Sequence, residues 1–335
     1  MSHQNSPVLI PTVDISSFLT NPLSKEAELV VSEIKDACMA VGFFQIIGHG
    51  ISPDLQEVVF EGAKSFFSLP QEIKEHYVGS PGRGYELIGT QALDPSTKPD
   101  LKEVNIILPL QQFVISCSRS PFCKGYFVGR DVPNRQPPYR NFEYPNVWPT
   151  QIIPDAQFKD PILKYHDAIC NLAYQVMKIL ARGLANLNTQ ILEDFCHEPI
   201  ASVRLLHYPP HPASDDPRLV GAGAHTDFGA ITLLLQEDGS GLQVKAPEND
   251  AWIDIPPQKG AYVVNVGDML ERWTSGRYKS TIHRVINTSG KDRYSVPFFF
   301  DGNLDFLLKP LDSPSEKGIT VEQHMRSRYM ETSTS

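Results

Sequence analysis

A chain of 335 residues, 41% hydrophobic and 21% charged, can bury a sizeable core, which argues against wholesale disorder. Thirty Lys and Arg against 39 Asp and Glu leave a net charge of -9, the wrong sign for a dedicated nucleic-acid or anionic-membrane binder. A small anionic ligand remains compatible, since one local Arg is enough to bind a carboxylate.

In chain order, Ile10 to Phe18 reads as a short strand entering a turn. Apolar residues Val30, Ile34, Ala37 and Val41 then predict a helix over 24–41, stopped by Gly42. A β-prone run, Phe43 to Ile47, ends at Gly48-His49-Gly50, and Ser52-Pro53 starts a second helix carrying Leu55, Val58, Val59, Gly62 and Phe66. Residues 79–155 are rich in Pro and Gly and read as short strands and loops. The strongest helix follows over 159–186. After Ala201 come short β-prone runs: Ser202–Tyr208, Ala230–Gln236, Leu242–Lys245, Trp252–Ile255, Tyr262–Val266, Ser280–Ile286 and Tyr294–Phe300. Their number and spacing predict a sandwich or barrel. A last helix is expected over 320–330. No repeat or low-complexity linker divides the chain, so 1–335 reads as one domain with helices around a β-core.

No basic stretch leads into an apolar run at the N-terminus, and apolar stretches are broken well short of a membrane span. The five cysteines, at 38, 117, 123, 170 and 196, are too scattered for a disulfide framework, and none form a Cys-x-x-Cys pair. A reducing, cytoplasmic setting is expected, with neither membrane nor nucleic acid as partner; nothing fixes the oligomeric state. Cys38 and Cys170 fall in predicted helices and read as small buried apolar residues.

Among ten histidines, His225 stands out by its company, Gly221-Ala-Gly-Ala-His225-Thr-Asp227-Phe-Gly229. At a strand end the period of two puts His225 and Asp227 on one face. His283, in the later strand, supplies a second imidazole. Two His and one carboxylate occupy one side of an octahedral Fe(II) and leave positions open for oxygen and a chelating ligand. A structural zinc site would instead close a tetrahedron with four protein ligands. Arg293-Tyr-Ser295 follows, again an i, i+2 pair, and an Arg fork beside a hydroxyl suits one carboxylate. Together these imply a small dicarboxylate held at one end by Arg293 while its other end chelates iron. Asp268 reads as a turn residue rather than a ligand. Phe298, Phe299 and Phe300 read chiefly as core, and Arg204 as either structural or substrate-facing.

The chain resembles the iron(II)- and 2-oxoglutarate-dependent dioxygenases of the isopenicillin N synthase-like branch. IPTVDISSFL, GFFQIIGHGIS and FFSLPQEIKEHY resemble its N-terminal signature, and Arg83-Gly84-Tyr85 and PNVWP its middle. RLLHYPP, HTDFGAITLLLQ, GLQV, VVNVGDMLERWTSGRYKSTIHRV and RYSVPFFF resemble its catalytic half. The resemblance implies an α+β fold with a double-stranded β-helix (jelly-roll) core flanked by helices. An N-terminal part over 8–150 and a catalytic part over 201–305 are expected within it. It implies His225, Asp227 and His283 as metal ligands, with Arg293 and Ser295 holding the distal carboxylate of 2-oxoglutarate. Tyr208 falls beside that cosubstrate, although HYPP departs from the commoner NYYPP. The implied cofactors are Fe(II), 2-oxoglutarate and O2, with ascorbate as a supporting reductant. The implied reaction is hydroxylation, desaturation or cyclisation of a small organic molecule in secondary metabolism. Thymine dioxygenase-like enzymes and tailoring oxygenases share the motif set, so a nucleobase, a polyketide or terpenoid, or a gibberellin-like acid all remain open. Two other readings also stay open: an iron oxidase of the branch that does not use 2-oxoglutarate, and a non-catalytic binding protein on the same fold.

One stretch departs from the pattern, Val104 to Lys124, VNIILPLQQFVISCSRSPFCK. Its flanks would join as DLKEGYFVGRD, which resembles an uninterrupted segment of the branch. Its 21 residues are whole codons; Val codons begin GT and one Lys codon ends AG, so a retained intron is expected. A genuine substrate-side loop is the alternative.

Overall fold

The computed structural model describes residues 10–86, 124–131, 136–184, 189–210, 221–237, 239–287, 290–313 and 315–333. In chain order the N-terminal elements are β1 (Thr12–Asp14), α1 (Ser16–Thr20), α2 (Lys25–Ala40), β2 (Phe43–Ile47), α3 (Pro53–Phe67), α4 (Gln71–Glu75), β3 (Gly84–Glu86) and β4 (Lys124–Gly129). The long α5 (Lys159–Arg182) and α6 (Thr189–Cys196) follow, then β5 (Ile200–Tyr208), β6 (Ala222–His225), β7 (Ile231–Gln236), β8 (Leu242–Lys245), β9 (Trp252–Asp254) and β10 (Tyr262–Val266). Last come α7 (Asp268–Trp273), β11 (His283–Val285), β12 (Arg293–Gly302), β13 (Leu307–Leu308), β14 (Ile319–Thr320) and α8 (Val321–Ser333).

The helices start where the sequence places their caps. The Ser24 hydroxyl accepts from Ala27 N at 3.0 Å, and that of Ser52 accepts from Leu55 N at 3.3 Å, each satisfying an N–H that the first turn leaves open. Within Ile10–Phe18, expected as a short strand entering a turn, the strand is Thr12–Asp14 and the chain passes from it into a helix. The Asp14 carboxylate accepts from Ser16 N at 2.9 Å, turning the chain out of the strand and into α1. The short helices α4, α6 and α7 have too few turns for a visible apolar period. Asp268, expected in a turn, is the first residue of α7.

Eight strands form the larger sheet in the order β1-β2-β10-β7-β12-β5-β4-β3, and four form the smaller in the order β6-β11-β8-β9. Alternation along the larger sheet makes two cores. Phe44, Ile46, Val264, Leu233, Leu235, Val296, Phe298, Val203 and Leu205 face the helical layer and pack with Ile34, Val59, Phe66, Ile169 and Val176 of α2, α3 and α5. Phe43, Leu206, Tyr208 and Val263, from the opposite face, pack with Leu242, Val244 and Val285 of the smaller sheet. Two sheets closed over an inner core and covered by helices on one outer face form the jelly roll. The inner face carries the chemistry.

Alternation also separates the three phenylalanines of β12. Phe298 and Phe300 lie in the helical core, while Phe299 falls on the inner face with Arg293 and Ser295 and is half-buried. Cys38 is fully buried, as expected, but Cys170 on α5 is only partly so. Of the expected insert 104–124, only Lys124, which opens β4, lies within the described residues.

Candidate metal centre and its surroundings

β6 ends on His225 and β11 begins on His283, and the antiparallel register sets the two residues opposite each other. Their ring centroids are 4.3 Å apart. Each ring is pinned through Nδ1: that of His225 lies 2.7 Å from Gly223 O, and that of His283 lies 3.2 Å from Thr281 O. A carbonyl only accepts, so Nδ1 carries the hydrogen and Nε2 keeps its lone pair.

Asp227 lies two residues beyond the end of β6, so strand alternation does not place it. Its backbone oxygen accepts from Asp268 N at 2.8 Å. Its Oδ2 accepts from Thr232 Oγ1 at 2.5 Å and from Asn265 Nδ2 at 2.7 Å. The other oxygen, Oδ1, lies 3.7 Å from Nε2 of both histidines. The three candidate donor atoms all fall within 4.8 Å of one another, and no second cluster of this kind occurs among the described residues. Two imidazole lone pairs and one unoccupied carboxylate oxygen, converging on a point, fit a divalent transition metal.

The charges suit that role. Burial, reinforced by the neighbouring His283 ring, lowers the His225 pKa to about 4, so its imidazole is neutral at neutral pH. Burial works to raise the Asp227 carboxyl, yet the two imidazoles and the donors from Asn265 and Thr232 outweigh it, leaving its pKa below the usual range. Nearby Asp301 differs: burial, and secondarily the Asp227 charge, push it up to about 7.

Arg293 and Ser295 open β12 and are both buried. The Arg293 guanidinium donates through Nη2 to Gln236 Oε1 at 2.9 Å, and its carbon lies 5.1 Å from the centre of the Tyr208 ring. Tyr208 is the cross-strand partner of Arg293, and Ser295 pairs with Gln236 on one side and Leu206 on the other. Tyr208, Arg293 and Ser295 thus form one patch on the inner face. Arg204 lies on the same face of β5, two places beyond Leu206 in the alternation. It pairs with Glu86, stacks at 4.6 Å on Phe127, and contributes to lowering the His225 pKa. Gly125 makes room for this pair, because a Cβ there would lie 2.9 Å from Glu86 Oε2 and 3.0 Å from Arg204 Nε. Arg83, by contrast, is structural: it donates to the carbonyls of Tyr144 at 2.8 Å and Phe142 at 2.7 Å.

Sequence reasoning passed over Thr232, Asn265 and Gln236. A signal for them was present, since each is a polar residue at the inward position of an otherwise apolar strand, where an unpaired polar group is costly. The clustered residues are His225, Asp227 and His283; Asp268 is not one of them.

The chain matches two family models. The first, described as 2OG-Fe(II) oxygenase superfamily, covers residues 199–302; the second, described as non-haem dioxygenase in morphine synthesis N-terminal, covers residues 10–151. It is 43% identical to a 2-oxoglutarate-dependent dioxygenase of Monascus ruber, over 98% of this chain and 96% of that one. It is 36% identical to the clavatol oxidase of Penicillium crustosum, over 97% and 96%. Among solved structures it is similar to the full-length thymine-7-hydroxylase of Neurospora crassa in complex with 2-oxoglutarate and thymine, with a TM-score of 0.81, 29% identity and 98% of both chains covered. The chain therefore belongs to the 2OG-Fe(II) oxygenase superfamily. It is a 2-oxoglutarate-dependent dioxygenase, an oxidoreductase of a family that uses Fe(II), 2-oxoglutarate and O2 on small molecules. Among the described residues no helix is long and apolar enough to cross a membrane.

Proposed function

We propose that His225, Asp227 and His283 hold Fe(II), that Arg293 and Ser295 take the distal carboxylate of 2-oxoglutarate, and that Tyr208 flanks it. The observation that carries this reading is the division of labour at Asp227. One oxygen is held by Thr232 and Asn265, and the other faces two imidazoles that are pinned by their far nitrogens. When bound, Fe(II) supplies oxygen activation coupled to oxidative decarboxylation of 2-oxoglutarate to succinate and carbon dioxide. The residues supply position and charge. The Asp227 carboxylate offsets part of the metal charge, and the buried Arg293 fork sets the orientation of the cosubstrate.

The substrate enters across the inner face between the metal and Arg204. Phe299 lies there beside Thr232, the residue that donates to Asp227, and Arg204 offers a cation already paired with Glu86. The similarity to a clavatol oxidase supports a small organic substrate and a tailoring oxidation in secondary metabolism. The scattered cysteines support a reducing, cytoplasmic setting, and the acidic composition supports an enzyme without nucleic-acid or membrane partners. Residues 8–150 and 201–305 form the N-terminal and catalytic parts of a single domain, and family models over 10–151 and 199–302 support that division. The stretch 104–124 is a retained intron. Sequencing the transcript tests this, and a dominant message that keeps these codons would refute it.

The decisive assay supplies purified protein with Fe(II), ascorbate and 2-oxoglutarate and measures succinate against a metabolite panel. Succinate is expected in proportion to oxidised substrate, and its formation is expected to vanish in His225→Ala. Substrate oxidation without succinate would instead favour an oxidase that does not use 2-oxoglutarate.

A further inference from the structure

Two short strands and a loop are a weak frame for three metal ligands. Asp227 sits beyond the end of β6, and the β11 ladder shifts register between His283 and Val285. Within this frame lies the carboxylate of Asp268, which touches none of the three ligand side chains but bonds to the segments that carry them. Its Oδ2 accepts from Thr226 Oγ1 at 3.0 Å, and Thr226 is the residue between His225 and Asp227. Its Oδ1 accepts from Ser280 Oγ at 2.7 Å, three residues before His283. One carboxylate therefore ties the His-x-Asp loop to the approach of the distal histidine.

The backbone around Asp268 repeats the tie. Gly267 N, Asp268 N and Met269 N donate to the oxygens of Ala230, Asp227 and Gly229 at 2.9, 2.8 and 3.2 Å. Gly267 can have no side chain, since a Cβ would fall 2.2 Å from Gly229 O and 3.0 Å from Asp227 O. The C-terminal helix closes the assembly. Arg328 Nη2 lies 2.7 Å from Asp268 Oδ2, its guanidinium lies 4.9 Å from the Phe228 ring, and His324 Nε2 donates to Phe228 O at 2.9 Å. On the strand side, Thr281 Oγ1 donates to Val41 O at 2.6 Å, while Thr281 O accepts from His283 Nδ1.

We propose that Asp268 is a positioning residue for iron: by bridging Thr226 and Ser280 under Arg328 it fixes the His225–Asp227 loop against His283. This rests on those three residues being the Fe(II) ligands. Partners that orient metal ligands typically contribute about 10–100-fold in metal affinity. The bond to Arg328 gives α8 a share in that geometry.

The test is anaerobic Fe(II) titration with saturating 2-oxoglutarate, followed by the charge-transfer absorption of the Fe(II)–2-oxoglutarate chelate. Wild type, Asp268→Ala, Asp268→Asn, Arg328→Gln and His225→Ala are compared, each at a temperature below its own unfolding midpoint. Asp268→Ala is expected to weaken Fe(II) binding by about 10–100-fold. Asp268→Asn, which keeps the volume and one acceptor for Ser280 but presents N–H to Thr226 and Arg328, is expected to fall between it and wild type. Arg328→Gln is expected to lose less than either. In the Asn variant kcat is expected to recover at saturating Fe(II), which a merely structural defect would not allow. If Asp268→Ala does not fold, Asp268→Asn and Arg328→Gln carry the test. Fe(II) affinity within twofold of wild type in the folded Asp268 variants would overturn the inference. A wild type that binds no more Fe(II) than His225→Ala would instead overturn the ligand assignment.

Discussion

Arg293 shows what a single side chain contributes here and what it fails to announce. Gln236 and the Tyr208 ring hold the buried guanidinium in one orientation on the inner face. Replacing it with Lys keeps the charge but loses the planar fork. A lost charge-assisted hydrogen bond costs about 1.5–3 kcal/mol, so Arg293→Lys is expected to raise the KM for 2-oxoglutarate by roughly 10–100-fold. Fe(II) affinity measured without 2-oxoglutarate is expected to stay unchanged, and a parallel loss of both would contradict separate sites. The Arg-x-Ser spacing was legible because both residues share one strand face. Gln236 was marked only as a polar residue at an inward strand position; its partner was not legible, because that depends on the register of β12 against β7, which no local pattern encodes. The same holds for Asn265 and Thr232, paired across β10 and β7 and meeting at Asp227 only through the fold.

Among the elements, the junction between α2 and β2 joins the helical layer to the sheets. Gly42 ends α2 with a left-handed φ of 71°, and its N–H donates to Ala37 O at 2.9 Å. The sequence marked Gly42 as a stop. It could not show why the backbone there is packed so closely: Lys279 O would lie 1.8 Å from a Cβ on Gly42. Lys279 precedes Ser280 and Thr281, the residues that bring the chain to His283, and Val266 N donates to Gly42 O at 3.0 Å. Gly42→Ala is therefore expected to cost more than the ~1 kcal/mol of the left-handed backbone alone, because backbone must also shift to clear the methyl. Denaturant unfolding checks this, and a loss below ~0.5 kcal/mol would mean that the close approach is not maintained. Long helices with hydroxyl caps were readable from period and cap. The short strands β1, β9 and β11 fell within β-prone runs, but their three-residue bounds, β3 and the six-residue α7 did not show, since tertiary hydrogen bonds rather than propensity define them.

At the scale of the whole molecule, buried and half-buried imidazoles make stability depend on pH. His49, His166 and His324 sit at separate junctions and lie 2.7, 3.2 and 2.9 Å through Nε2 from the carbonyls of Gly260, Ala201 and Phe228. Burial is the main cause that lowers each pKa below the ordinary 6.5. As pH falls below 6.5 the unfolded chain takes up these protons while the folded chain resists, so stability present at neutral pH is lost on acidification. Asp301 opposes this: with its pKa raised to about 7 it favours the folded state at low pH and loses that contribution as pH rises through 7. In the metal-free protein His225, with its pKa lowered to about 4, adds a fourth such group, and four imidazoles act against one carboxyl, so stability is expected to fall from pH 6.5 towards 5. His166, 3% exposed and edge-on to Phe298, isolates one contribution. His166→Gln keeps a donor for Ala201 but cannot titrate, and it is expected to flatten the acid slope by up to about 1.4 kcal/mol per pH unit. Thermal unfolding of both proteins across pH 5–8 measures it. Parallel curves would mean that His166 is protonated as readily in the fold as outside it, and that the junction between α5 and β5 is open to water.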